Sequence, residues 1–165
     1  MEKIKKDSCQ RSKGRTEKPT SMDAAEPSPR WEHFPHDADM GIRGIGHSKA
    51  EAFEQAAWAM TAVTLDPDKI HPHLKRSFSC EAPDDELLLV DWLNALVCEM
   101  DTHKMAFSRF HVLLNNHNME ASAWGEPVDR GRHEPAAEVK GATYTELSVH
   151  QLPNGFWMAQ CVVDV

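Results

Sequence analysis

The sequence has no apolar run long enough to cross a membrane as a helix. Such a helix needs about 20 consecutive apolar residues, and no stretch of the 165 residues approaches that length. The basic residues at the start of the chain are not followed by an apolar segment, so the pattern of a secretory signal is missing as well. We therefore expect a cytoplasmic protein without membrane contact, and the length favours one domain with room for a tail.

Cysteine is scarce, and its four positions lie far apart. Cys9, Cys80, Cys98 and Cys161 form no C-x-x-C pair, which argues against a zinc knuckle and against a disulfide framework. A cysteine that is neither bridged nor metal-bound behaves as a small apolar residue. We expect Cys9 to lie in a tail and the other three to be compatible with a core.

Basic residues are rare after the first 30 positions. Residues 1–30 contain eight Lys/Arg and five Asp/Glu, a net charge of +3, whereas residues 31–165 contain ten and 21, a net charge of −11. An acidic body is a poor electrostatic partner for a phosphate backbone and suits a basic protein surface or a cation better. The charge distribution therefore disfavours direct nucleic-acid binding.

The first 30 residues also have almost no large apolar side chains. They are rich in Lys, Glu, Ser and Pro, a composition that buries too little apolar surface to offset the entropy lost on folding. We predict a disordered N-terminal tail over residues 1–30 and a folded domain over residues 31–165.

The first half of the domain predicts two helices between extended segments. Residues 31–46 indicate one extended element interrupted near Pro35, because proline cannot donate to a strand ladder. Ser48 followed by Glu51 is a capping box and opens a helix over about residues 49–64, where apolar residues recur at helical spacing. A short strand over residues 75–82 and a second, largely buried helix within residues 83–101 follow.

The second half changes to a period of two. Alternating apolar residues predict strands within residues 105–114, 119–128, 137–152 and 155–165. A polar turn joins the first two strands, and Asn154–Gly155 is a strong hairpin signal between the last two. The element order predicts an α+β fold, a sheet of mostly antiparallel strands with two helices packed on it.

Carboxylates lie at the ends of two predicted strands. Asp39 precedes a glycine-spaced stretch, Asp164 ends the last strand, and Val165 adds its α-carboxylate. If the first and last strands are neighbours, these groups converge and repel one another unless a cation lies among them. Oxygen ligands without thiolates favour Ca²⁺ or Mg²⁺. The alternative interpretation is two surface aspartates without a metal.

Three further patterns are less specific. The stretch GIRGIG has the wrong spacing for a dinucleotide fingerprint, and glycines that relax a bent strand explain it better. His71 and His73 lack a third metal ligand in the sequence, which favours a solvated loop. Glu126, in an exposed WGE stretch, and Lys140 offer opposite charges that form either a functional pair or a structural salt bridge.

Several separated blocks of residues 31–165 resemble the archease family. The sequence contains the family pattern H-x-A-D-x-G. It also matches the family's E-V-K-A-x-T-Y block, with Gly141 in place of alanine. Like the family, it ends in an aspartate followed by one aliphatic residue. The matching residues are His36, Ala38, Asp39, Gly41, Glu138, Val139, Lys140, Thr143, Tyr144, Asp164 and Val165.

The resemblance implies an accessory protein rather than an enzyme. Archeases activate the RtcB-type RNA ligase of tRNA splicing and RNA repair, by promoting its GTP-dependent guanylylation and multiple turnover, and meet RNA only through that ligase. The resemblance also implies a duplicated strand–helix–strand–strand module. It further implies a divalent metal, calcium or another such cation, at Asp39, Asp164 and Val165, and a functional role for Lys140. His36 is expected to orient or pack, and Asp37, where threonine is usual, to be solvated.

Two other functional classes are compatible with the residues. Asp39, Asp164 and Lys140 contain the acids and the lysine that a small metal-dependent hydrolase uses for proton transfer, but the sequence contains no recognisable nucleophile or phosphate loop. A chaperone-like protein-binding module is the third possibility. Catalytic turnover without a partner protein would favour the hydrolase over both binding functions.

Overall fold

The structure is a computed structural model that describes residues 28–165. The predicted disordered tail, residues 1–30, lies almost entirely outside the described residues, as does Cys9. Within the described part of the chain, no helix combines the length and the apolar character that crossing a membrane would require.

The described residues form eight strands and three α-helices. They are, in chain order, β1 (Arg30–His36), β2 (Asp39–Gly46), α1 (Lys49–Thr64), β3 (Leu74–Glu81), α2 (Asp85–His103), β4 (Met105–Asn115), β5 (Asn118–Pro127), α3 (Arg130–His133), β6 (Gly141–Ala142), β7 (Ser148–Gln151) and β8 (Trp157–Asp164). A 3-10 turn, Pro67–Lys69, follows α1.

The strands are divided between two antiparallel sheets. The first, sheet A, has the order β1-β2-β8, with β6 and β7 both paired to the remaining edge of β8. The second, sheet B, has the order β3-β5-β4. The predicted α+β class with antiparallel strands and two packed helices is confirmed, but the strands form two sheets because, among residues 28–165, β3, β4 and β5 pair only with one another.

The connectivity of the two sheets repeats one module. In sheet B, the strand β3 leads through α2 to β4 and β5, and β5 pairs between the other two. In sheet A, β2 leads to α1, and β8, the last strand, pairs between β2 and β7. The module of β3, α2, β4 and β5 is therefore inserted into a second module, between its helix α1 and its strands β7 and β8. This is the duplicated strand–helix–strand–strand arrangement that the resemblance implies.

One apolar core joins both sheets and both long helices. Its centre is Trp92 of α2, which is fully buried, donates a hydrogen bond from Nε1 to the Phe53 carbonyl at 3.2 Å, and packs edge-on against Phe78 and Phe110. Buried residues of β2, β4, β5 and β8 belong to the same cluster. This continuous core fixes sheet A relative to sheet B, so the strand ends hold defined positions.

Helix α1 has the predicted bounds and cap. The Ser48 hydroxyl accepts a hydrogen bond from the Glu51 backbone N–H, and the Glu51 carboxylate accepts one from the N–H of His47. The helix lies against the glycines of β2, since a side chain at Gly44 would overlap the backbone of α1. The proposal that these glycines relax a bent strand is therefore wrong for Gly44: close helix packing requires it.

Two of the predicted extended elements are interrupted. Residues 31–46 form a hairpin rather than one element, and β1 turns into β2 through Asp37, whose φ of 49° lies in the left-handed region. Residues 137–152 form two short strands, β6 and β7, because the five residues 143–147 lie opposite only Cys161 and Val162 of β8. Aspartate tolerates left-handed backbone better than most residues, which explains the first turn.

The cysteines only partly follow the prediction. Cys161 is fully buried, and burial raises the pKa of its thiol to about 12, so it is an unreactive core residue. Cys80 is half-buried, and burial also raises its thiol pKa. Cys98 is exposed on α2, so the expectation of a core-compatible position was wrong for that residue.

Candidate functional site

The two predicted site aspartates lie at the same end of sheet A. The last pair in the ladder between β2 and β8 is Met40 and Val163. In the same register, the next residues, Asp39 and Asp164, lie opposite each other. Opposing residues of an antiparallel pair project from the same face. The Val165 backbone N–H donates to Asp39 Oδ1 at 3.4 Å, which brings the end of the chain to the same place. We call Asp39, Asp164 and the α-carboxylate of Val165 the carboxylate site.

The aspartates of the carboxylate site are accessible and form no ion pair within the described part of the chain. Asp39 is half-buried, whereas Asp164 and Val165 are exposed. The ion pairs within residues 28–165 include neither aspartate. Negative groups held together without a cation repel one another, and a donor set of oxygens alone matches Ca²⁺ or Mg²⁺. The residues present fit a hard divalent cation.

Lys140 is next to the carboxylate site along the sheet. Its backbone N–H donates to the Asp164 carbonyl at 2.8 Å, and Gly141, the following residue, pairs with Asp164. The side chain is exposed and forms no salt bridge within the described residues. It also lines a shallow cavity of about 390 Å³ together with Asn94 and Asp101 of α2. Lys140, which directly precedes β6, is thus a backbone neighbour of Asp164, but Gly141 rather than Lys140 pairs with Asp164, and the Lys140 side chain lines the cavity beside α2.

His36 and Asp37 belong to the turn that presents Asp39. His36 pairs directly with Asp39 across the hairpin, so the two side chains are neighbours on one face. The His36 ring is 32% exposed, and its Nδ1 lies 3.9 Å from an Asp37 oxygen. Asp37 itself is solvated, with 93% of its side chain exposed. The exposure of Asp37 agrees with the expected solvated acid, and the orienting or packing role of His36 stays a prediction.

The surface beside Asp39 is held by a polar and aromatic network. Arg43 donates to Glu32 at 3.0 Å and to Gln160 at 2.9 Å, and its guanidinium lies over the Phe34 ring at 4.8 Å. Burial raises the pKa of the Glu32 carboxyl, but hydrogen bonds from Arg30 and Arg43 outweigh burial, so the pKa lies below its ordinary value. The network ties β1, β2 and β8 together on the face that carries Asp39.

Glu126 does not belong to the carboxylate site, and the prediction that it is exposed was wrong. It lies at the end of β5 in sheet B and is only 7% exposed. It forms a salt bridge with Arg132 and a hydrogen bond with His133 rather than a pair with Lys140. The residue before it, Gly125, is also buried, because the backbone of Ala106 in β4 packs against it. A buried, paired carboxylate does not face a partner protein.

The Glu126 network was missed because its members are separated in the sequence. Arg132 and His133 lie on the single-turn helix α3, which is capped by the Asp129 side chain. Burial raises the pKa of the Glu126 carboxyl, but the hydrogen bonds from Arg132 and His133 outweigh burial and hold the pKa below its ordinary value. The only sequence signal is the run of basic residues six and seven positions after an acid, and such runs are usually solvated.

Comparisons with known proteins agree with one another. The model of the Archease protein family matches residues 31–165. The chain is 39% identical over 140 residues to Protein archease of Pyrococcus abyssi, covering 82% of this chain and 99% of that protein. It is 33% identical over 141 residues to Protein archease of Methanosarcina barkeri, covering 82% and 96%. The solution structure of Methanobacterium thermoautotrophicum protein 1598 matches with a TM-score of 0.71 and 29% identity, covering 82% of this chain and 98% of that chain.

Proposed function

The chain belongs to the archease family, and from that membership we propose that it is a non-catalytic, cytoplasmic accessory protein that activates an RtcB-type RNA ligase. That ligase joins a 2′,3′-cyclic phosphate or 3′-phosphate RNA end to a 5′-hydroxyl end. It first attaches GMP from GTP to its own histidine. In the proposed activity the chain promotes this guanylylation, restores multiple turnover in tRNA splicing or RNA repair, and meets RNA only through the ligase.

The carboxylate site is the observation that supports this function best. It gathers Asp39, Asp164 and Val165 at one accessible end of sheet A without a basic partner in the described residues. Such a site suits either a divalent cation or a cationic surface on another protein. The hydrogen-bonded network around Arg43 joins β1, β2 and β8 on the same face, which limits the backbone entropy to be lost on docking.

In the proposed mechanism, the carboxylate site docks near the metal and nucleotide pocket of the ligase. Asp39, Asp164 and the Val165 carboxylate would hold Ca²⁺ or another divalent cation, which would neutralise their mutual repulsion. The residues of the chain bind and orient, and the ligase carries out the chemistry. The chain shifts the ligase toward its guanylylation-competent state only as far as it binds that state more tightly than the others.

The direct test is a guanylylation assay with purified ligase, labelled GTP and the chain. We expect the chain to accelerate formation of the covalent ligase–GMP adduct without forming an adduct itself. An unchanged rate of adduct formation with folded chain would overturn the proposal. Hydrolysis of RNA or GTP by the chain alone would favour a hydrolase instead.

Lys140 provides a charge-reversal prediction. We expect Lys140→Glu to reduce activation of the ligase more than Lys140→Ala, because alanine removes one favourable charge whereas glutamate adds a like charge beside Asp164. The side chains of Lys140 and Asp164 are both exposed, so in the free chain the effect of such a charge change is only about 0–1 kcal/mol, and it grows where docking removes water from the charges. The measurement is the rate of ligase–GMP formation for each variant.

Lys75→Glu on β3 is the matched control, because it makes the same charge change at an exposed position of sheet B. It should activate nearly as well as the wild type. Equal, wild-type activation by both Lys140 variants would mean that Lys140 has no role in docking.

The last residue provides a metal-binding prediction. Deleting Val165 moves the α-carboxylate to Asp164, one residue back and on the opposite face of the strand, so we expect weaker Ca²⁺ binding with little loss of stability. Calorimetry with Ca²⁺ compares the deletion with Val165→Ala, which keeps the terminal carboxylate in place. Equal Ca²⁺ affinity for the deletion and the wild type would exclude the terminal carboxylate as a ligand.

A further inference from the structure

A second group of potential metal ligands lies in sheet B, apart from the carboxylate site. One ligand atom each from His71, His73 and Glu126 lies within 4.8 Å of the other two. The histidines precede β3, and Glu126 lies near the end of β5. The carboxylate site belongs to β2 and β8 of sheet A. The second group is therefore independent of the proposed ligase function.

The backbone holds the two histidines beside the end of β5. The His73 N–H donates to the Gly125 carbonyl at 3.1 Å, which extends the ladder between β3 and β5 by one position. Ile70, the residue before His71, is 5% exposed, and its carbonyl accepts a hydrogen bond from the buried Ser108 hydroxyl at 3.0 Å. The segment that carries both imidazoles is therefore anchored, while the rings themselves are exposed.

The hydrogen bonds of His133 define how Glu126 is presented. The Asp129 N–H donates to His133 Nδ1 at 2.9 Å, so that nitrogen is an acceptor. His133 Nε2 is 2.6 Å from Glu126 Oε1 and must be the protonated donor. Arg132 donates to the same oxygen. Both side-chain donors thus contact Oε1, and the His71 backbone N–H also donates to the carboxylate. Supporting hydrogen bonds of this kind orient metal-binding carboxylates in proteins.

The partners of Glu126 also bear on how strongly the group would hold a cation. The Arg132 guanidinium forms a salt bridge with the carboxylate. The Arg132 charge opposes an incoming cation, and this repulsion limits the affinity of the site without removing any of its three ligands.

We propose that His71, His73 and Glu126 form a binding site for a first-row transition metal of the Zn²⁺ type. Two imidazoles and one carboxylate are a known three-ligand set for zinc, with the fourth position open to water or another ligand. Imidazole nitrogens favour Zn²⁺ and its neighbours over Ca²⁺ and Mg²⁺, which prefer oxygen. The selectivity of this site is thus opposite to that of the carboxylate site.

Only a small rearrangement separates the observed positions from a metal-bound geometry. Tetrahedral ligand atoms about 2.1 Å from zinc lie roughly 3.4 Å from one another. In the structure, the three ligand atoms lie within 4.8 Å of one another. The two rings are stacked with centroids 5.4 Å apart and an angle of 11° between their planes. Because both rings are exposed, rotation about their side-chain torsions can close this gap without moving the backbone.

The test is calorimetric titration of the full chain with Zn²⁺ alone, at neutral pH and without Ca²⁺. We expect one equivalent to bind to the wild type, and the affinity for that equivalent to fall at least tenfold in His71→Ala and in His73→Ala. Both histidines are exposed, and substitutions at exposed positions usually change stability little, so both variants should fold. The matched control is His111→Ala, an exposed histidine of β4 outside the group, which should bind Zn²⁺ like the wild type.

A parallel titration with Ca²⁺ distinguishes this site from the carboxylate site. His71→Ala should leave Ca²⁺ binding unchanged, whatever the wild-type affinity for Ca²⁺ is. The proposal is overturned if the wild type does not bind Zn²⁺, or if both histidine variants bind Zn²⁺ with the wild-type affinity and stoichiometry. A loss of Zn²⁺ binding in His111→Ala as large as in His71→Ala would also overturn it, because binding would then not depend on the three ligands.

Discussion

Replacing Asp39 with asparagine is expected to abolish most of the ligase activation while leaving the fold intact. The substitution removes the charge, but the asparagine oxygen can still accept the hydrogen bond from the Val165 N–H. Substitutions at accessible positions usually change stability by about 0.5 kcal/mol or less. Close charge pairs across protein interfaces couple by about 1.5–7 kcal/mol, so we expect the rate of guanylylation to fall about tenfold or more toward that of the ligase alone.

The adjacent turn provides a matched control for Asp39. Asp37→Asn makes the same change in net charge two residues away, on a side chain that is 93% exposed, and asparagine also tolerates the left-handed backbone at this position. It should activate the ligase like the wild type. Full activation by a folded Asp39→Asn variant, or equal losses in both variants, would remove Asp39 from the site.

Gly44→Ala is expected to destabilise the fold more than any other substitution considered for this chain. A methyl group at Gly44 would overlap the Ala52 carbonyl oxygen and the Ala56 nitrogen, which are backbone atoms of α1 and cannot rotate away. The helix would have to move off β2, where it packs against the strand that carries Asp39. Overpacking costs typically about 1–3 kcal/mol. We expect a loss near the upper end, about 3 kcal/mol, and a fall in Tm of roughly 10 °C.

Gly131→Ala is the control for this prediction. The nearest atom to an added methyl group there, Asp129 Oδ1, is at 3.4 Å, an ordinary van der Waals distance. Its Tm should remain close to that of the wild type. Gly44 has no positive φ, so alanine would be tolerated if the glycine only relaxed the strand. A Tm for Gly44→Ala close to the wild-type value would therefore contradict the account of close helix packing.

The helices were predictable because their signals are local. Ser48 and Glu51 define the start of α1 within four residues, and the apolar spacing that follows is a property of the helix alone. The same holds for α2, whose start is capped by Asp84 and whose wide apolar face surrounds Trp92. Neither helix needs a distant residue to explain its bounds.

The strands were harder to predict because pairing is not local. Nothing near β3 indicates that it pairs with β5, whose paired residues lie 37 to 51 positions further along the chain, rather than with β2, so the division into two sheets was missed. The hairpin at Asp37 was missed because the turn contains neither glycine nor the usual Asn-Gly pair. Periodicity of two also continues across residues 143–147, where the chain leaves the ladder.

The candidate sites were also hard to predict, because they bring together residues that are far apart in the sequence. Asp39 and Asp164 were proposed as neighbours on the condition that the first and last strands pair, and that condition holds for β2 and β8. Glu126 was placed on the surface because its alternating neighbours do not reveal the contacts of α3. The third ligand beside His71 and His73 comes from the same glutamate, more than 50 residues away, and no spacing rule reaches that far.

The central claim is that this chain activates an RNA ligase by binding it, and the most direct measurement is ligated RNA produced per molecule of ligase. The reaction contains limiting purified RtcB-type ligase, excess GTP and excess RNA with a 3′-phosphate and a 5′-hydroxyl end. With the wild-type chain, we expect the ligated product to exceed the number of ligase molecules, and with the Asp39→Asn variant to fall back to the level of ligase alone. If product per ligase molecule is the same with and without the folded wild-type chain, the account is contradicted.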